Sequence, residues 1–167
     1  MKRYPVHPKD PFAGLFSDLF IVGTTRGAAG VSDFTAAATT QTITLLALNI
    51  GDILPYPLAQ GLVAKRFTDG AEDAAATTLA NLKADVGVTS ATTQLIAGTN
   101  GDLQQDRGYP ITSPTSGLAP YSTIATGKSL LLTLTSTAGN LNTITFGELW
   151  IYTNVMRVAD YLTTMHG

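Results

Sequence analysis

The stretch SLLLTLTSTAGNLNTITFGELWIYTNV, residues 129–155, decides the fold class. Leu130, Leu132 and Leu134 fall on one side of an extended backbone while Thr133, Thr135 and Thr137 fall on the other, the two-residue period of a half-buried strand. Ala138-Gly139-Asn140 then supplies residues that tolerate positive φ, so the run breaks in a turn. Beyond it Ile144 and Phe146 oppose Thr143 and Thr145 in the same manner, which predicts that the next strand is under way by residue 143. After Gly147, Leu149, Ile151 and Val155 share one face, and Glu148, Trp150, Tyr152 and Asn154 share the other. With the aliphatic set turned to a core, Trp150 and Tyr152 point outward. Contiguous apolar surface of this kind marks a contact, and both residue types are enriched at interface cores. The alternative is that both faces of the strand are covered within one chain.

The same pattern extends outward along the sequence. DLFIVG, TQTITLLALNI, LAQGLVAKRF, NLKADVGVT, TQLIAG, PYSTIA, SLLLTLTST and ELWIYTNVMRV are runs of strand length separated by turn chemistry at Asn49-Ile50-Gly51-Asp52, Asp69-Gly70 and Asn100-Gly101. Such spacing predicts an antiparallel β-sandwich or a small barrel. Residues 71–84, AEDAAATTLANLKA, carry alanines that could form a helical turn or two, against the weaker helix formers Thr77, Thr78 and Asn81. Residues 1–17 place Pro5, Pro8 and Pro11 among Tyr4, His7, Phe12 and Phe16, and read as an extended arm. Either it is a frayed terminus or it docks on a neighbouring subunit. The resulting division is an arm over 1–17, a sandwich domain over 18–161 and a tail over 162–167.

Composition removes several classes of function. The chain has 167 residues, enough for one domain with a core of its own. Charged residues make up only 13% and the formal net charge is -2, so no basic field gathers phosphates and nucleic acid is not an expected partner. There is no cysteine, hence no disulfide and no thiolate metal site. Prolines and charges interrupt the opening residues, which therefore do not read as a secretion signal, and no apolar run reaches the ~18 residues of a membrane helix.

Groups fit for chemistry are few. His7 and His166 lie at opposite ends of the chain, which leaves the body without a histidine for a metal cage or a serine triad. GTTRGAAG at 23–30 lacks the spacing of a phosphate loop and reads as a connection. Asp69, Glu72 and Asp73 offer oxygen ligands without the register of a calcium loop. Asp52, Asp69, Asp85, Asp102 and Glu148 could each be nominated as half of a glycosidase pair, and nothing in the sequence couples any two of them. The expectation is a protein that is not an enzyme and that uses no cofactor or metal.

TQTITLLALNIGDIL, LKADVGVTSATTQLIAGTN and ATGKSLLLTLTSTAGNLNTITFGELWIYTNVMRVADY, within residues 18–161, together resemble the jelly-roll capsid cement, or decoration, proteins of tailed bacteriophages. The resemblance implies an all-β sandwich of jelly-roll type that assembles as a homotrimer on the outer surface of the virion head, between capsomers. There it binds the major capsid protein and stabilises the shell. It supplies no catalytic residue. The expected subunit or capsid contacts are Tyr4, Phe12 and Phe16 on the arm, with Trp150 and Tyr152 on the last strand. The competing reading is a carbohydrate-binding or adhesive sandwich of a phage tail or spike, since Trp150 and Tyr152 could equally stack on sugars.

Overall fold

Leu130, Leu132 and Leu134 are wholly buried, so the alternation of the quoted stretch reports a true inner face. The computed structural model of the chain describes residues 1–10, 13–23, 33–55, 59–72, 74–111, 122–123 and 127–157. Its strands are β1 (Lys2–Pro5), β2 (Asp18–Gly23), β3 (Thr40–Leu48), β4 (Ile53–Leu54), β5 (Ala59–Thr68) and β6 (Lys83–Val88). They continue with β7 (Ala91–Ala97), β8 (Tyr109–Ile111), β9 (Ser122–Thr123), β10 (Lys128–Thr135) and β11 (Phe146–Thr153).

Two antiparallel sheets carry the architecture, one in the order β1-β2-β11-β5-β8 and one in the order β3-β10-β6-β7, while β4 and β9 form a short separate ribbon. The pairings are nested. β6 pairs with β7, β5 with β8, β3 with β10 and β2 with β11, as if one long hairpin had been rolled up around its own tip. That nesting, split between two facing sheets, defines a jelly roll.

Register explains why the sheets bury what they bury. Leu130, Leu132 and Leu134 stand opposite Val88, Val86 and Ala84 of β6, so each core-facing residue meets another across the ladder. From the other sheet Phe20, Val22, Val63, Phe67, Ile111, Leu149 and Ile151 close the same core. Phe34 and Phe67 meet there edge to face, with ring centroids 5.5 Å apart. Gly147 sits where the β11–β5 pairing shifts register. Its φ is +147°, and an added Cβ would overlap the Phe67 ring, so this irregular point of the strand needs a residue with no side chain.

Two local expectations are corrected. Residues 141–143 form a 3-10 turn, and strand pairing begins only at Phe146, although Ile144 is buried as its spacing implied. Among the described residues of 71–84 there is no helix; the segment ends in β6 instead. The cause is Asp69, whose carboxylate accepts hydrogen bonds from the amides of Thr77 at 2.6 Å, Thr78 at 2.7 Å and Leu79 at 3.0 Å. A helix would need those amides for its own carbonyls. Among the described residues, no helix is long and apolar enough to cross a membrane.

Candidate contact surface

The five-stranded sheet is apolar on its outer face as well as its inner one. Trp150 lies beside Ile21 and Tyr152 beside Leu19 in the β2–β11 register, so four apolar side chains share one patch facing away from the main core. A sheet greasy on both sides must be covered on both. The cover comes from the chain itself. Past β1, which pairs antiparallel with β2, the backbone folds back and seats Val6 and Phe16 on this patch. The Phe16 and Tyr152 rings are 5.8 Å apart and tilted by 45°.

Hydrogen bonds fix this cover at several points. The Tyr152 hydroxyl donates to Asp10 Oδ2 at 3.1 Å, and Asn154 Nδ2 donates to the Leu15 carbonyl at 3.1 Å. The Ser17 amide donates to the Thr153 carbonyl at 3.0 Å while Ser17 Oγ accepts from the Val155 amide at 3.1 Å. Farther out, Arg3 grips Asp18 through Nε and Nη2, each at 2.7 Å. Burial first, then the bond to Asp10 and the charge of that carboxylate, push the Tyr152 hydroxyl up to about 12.

The expected contact residues therefore divide. Tyr152 is 1% exposed and Phe16 is 8% exposed, so the outward face is real but covered within the chain, which corrects the bare aromatic pair read from the sequence. Trp150 is half-buried, with Nε1 donating to Glu148 Oε1 at 2.6 Å. Tyr4, opposite Leu19 on the edge strand, is 41% exposed. Phe12 lies outside the described residues. Sequence reasoning missed the covering partners Val6, Leu19 and Ile21, although one signal was present: DLFIVG has apolar residues in both phases, the mark of a strand buried on two sides.

The carboxylates nominated for chemistry all hold structure. Asp52 pairs with Arg157 Nη1 at 3.2 Å and accepts from the Asn49 amide at 2.8 Å. Asp85 pairs with Lys83 at 3.1 Å and accepts from the Gly98 amide at 3.0 Å. Asp102 accepts from the amide of Thr99 at 2.7 Å and from its hydroxyl. Burial alone would raise the pKa of Asp69, but the Thr78 hydroxyl and the amides of Thr77, Thr78 and Leu79 outweigh it and hold the carboxyl well below its ordinary value. Glu72 approaches Lys65 at 3.5 Å, and Asp73 lies outside the described residues. Among the described residues no group of three or more His, Cys, Asp or Glu is arranged to hold a metal ion. His7 accepts from the Lys9 amide through Nδ1 at 3.1 Å; His166 and residues 24–30 of the GTTRGAAG connection lie outside the described residues.

Fold and surface together define an antiparallel jelly-roll sandwich whose second apolar face is covered at Leu19 and Tyr152 by its own N-terminal arm and left part-open at Ile21 and Trp150. No family model, curated protein or solved structure matches the chain.

Proposed function

We propose that this chain is a virion structural protein, a cement or decoration protein that sits on the outside of a tailed-phage head and stabilises it by contact with the major capsid protein and with its own copies. The observation that carries the reading is the use made of its acids. Asp52, Asp69, Asp85, Asp102 and Glu148 each have a named backbone or side-chain partner that ties a turn or a strand. Carboxylates committed in this way serve rigidity, and rigidity is what a protein needs when its task is to grip a shell under pressure. The jelly-roll topology and the low charge agree with such a role.

Binding then rests on shape and repetition. Modest contacts suffice when several act together, because each contact already made raises the effective concentration for the next. Of the aromatic residues expected as contacts, Tyr4 and the half-buried Trp150 reach the surface. Light scattering should give a homotrimer, and a monomer at micromolar concentration would contradict the self-association in this reading. Tyr4→Ser should weaken attachment to empty capsid shells several-fold while leaving the unfolding midpoint within error of the parent. Binding to a glycan array without binding to shells would favour the sugar-stacking role instead, although Tyr152 presents no open ring face for it.

A further inference from the structure

Asn100-Gly101 is the sole asparagine–glycine pair in the chain. It forms the tip of the turn that leads from β7 into a 3-10 turn (Asp102–Gln104), closed by the Asp102 amide on the Thr99 carbonyl at 3.2 Å. Asn100 is exposed, Gly101 holds φ +90°, and nothing lies within 4 Å of the Cβ that Gly101 lacks. The Gly101 amide is therefore crowded neither by a side chain of its own nor by a neighbour on that side.

The amide that follows each asparagine sets this site apart from the others. Leu82 donates to Gln104 Oε1 at 3.0 Å, Leu141 to the Ala38 carbonyl at 2.9 Å, Thr143 to the Asn140 carbonyl at 3.1 Å and Val155 to Ser17 Oγ at 3.1 Å. Asn49 is followed by Ile50, whose β-branched side chain hinders its own amide. Among the described residues the Gly101 amide has no acceptor. The pair Asp69-Gly70 offers related chemistry in the sequence, but there the fold ties both groups down. The Asp69 carboxylate accepts from the amides of Thr77, Thr78 and Leu79, and the Gly70 amide donates to Thr68 Oγ1 at 3.0 Å.

We propose that Asn100 is a site of spontaneous deamidation in the folded protein, with the Gly101 amide as nucleophile and water as co-reactant. The Gly101 nitrogen loses its proton and bonds to Asn100 Cγ; the bond from Cγ to the side-chain nitrogen breaks, and that nitrogen leaves as ammonia with the proton. Water then opens the five-membered imide at one carbonyl or the other, giving aspartate or isoaspartate. One water is consumed and one ammonia released, with nothing oxidised or reduced. The product carries a new negative charge beside buried Asp102, whose carboxylate clasps the Thr99 amide at 2.7 Å. Isoaspartate also lengthens the main chain of this turn by a methylene. The inference stands apart from the proposed function, and neither depends on the other.

The test follows the folded chain and a guanidinium-unfolded sample in the same mildly alkaline buffer. Peptide mass spectrometry reads the amide-to-acid mass gain, and labelling by protein isoaspartyl methyltransferase reads isoaspartate. In the folded chain Asn100 should convert several-fold faster than any other asparagine, with the label on the same peptide, and Asn100→Gln should abolish that label. Asp69 should yield isoaspartate only in the unfolded sample. Asn100 intact in the folded chain, whether or not the unfolded sample converts it, would overturn the proposal, as would conversion spread evenly over the asparagines. Isoaspartate at Asp69 in the folded chain would overturn the protection assigned to its hydrogen bonds.

Discussion

Tyr152 shows how one residue can be read correctly and placed wrongly. Its phase opposite Ile151 was legible from period alone, but its cover depends on residues far away in the chain, and no local pattern specifies that pairing. Because its hydroxyl is raised from 10.0 to about 12, the neutral form is favoured by folding. Its contribution is therefore complete below pH 10 and is lost as the pH rises through about 12. Urea titrations of the parent and of Tyr152→Phe should show the variant weaker by about 1–2 kcal/mol at neutral pH. That difference should shrink as the solution is made alkaline; a gap unchanged by pH would deny the hydroxyl its role. Asp69 has the opposite sign. Its lowered carboxyl contributes fully above pH about 4 and loses that contribution as the pH falls further. Asp69→Asn should cost about 1–2 kcal/mol at pH 7 and flatten part of the acid limb of stability, measured by urea unfolding between neutral and acid pH. In the sequence Asp69 could be read as a turn residue, an oxygen ligand or a catalytic nominee, but not as the organiser of residues 77–79, since those partners lie eight to ten positions on.

At the level of elements, the runs with clean alternation or a dense β-branched interior could be read directly. DLFIVG coincides with β2, and SLLLTLTST and ELWIYTNVMRV contain most of β10 and β11. The strands that escaped are β1, β4 and β8, which have four, two and three residues. Strands so short carry no period, and Pro5 and Pro110 within two of them argue against a strand until an edge position is known to be available. The strand expected from residue 143 fails for a related reason: Thr143 closes the 3-10 turn through its hydroxyl on the Asn140 carbonyl at 2.7 Å before pairing resumes. Since β10 runs through the middle of the core, Leu132→Ala should destabilise by about 2–5 kcal/mol in denaturant. Removal of residues 1–10, which leaves Phe16 on Tyr152, should lower stability far less. A deletion as damaging as the core cavity would make the arm part of the folding unit instead of an appendage.

For the molecule as a whole, sequence reading reached the sandwich through strand count and turn spacing, and the resemblance supplied the jelly roll; the nested pairings bear out both. That the outer face is covered stood only as the alternative reading, with DLFIVG as its one local signal; which segment covers it was not legible, because that is a property of the closed topology. What emerges is a block in which Asp52, Asp69, Asp85, Asp102 and Glu148 each hold a turn or a strand and the outer apolar patch is largely covered, with exposed threonines at Thr40, Thr42 and Thr44 along one sheet edge. Such a body suits holding. Co-sedimentation of the purified chain with empty tailed-phage heads tests the proposed function most directly. The account predicts saturable, stoichiometric binding that raises the temperature at which the shells rupture. Chains left in the supernatant at concentrations far above those of the head sites, with shells no more resistant to heat, would contradict it.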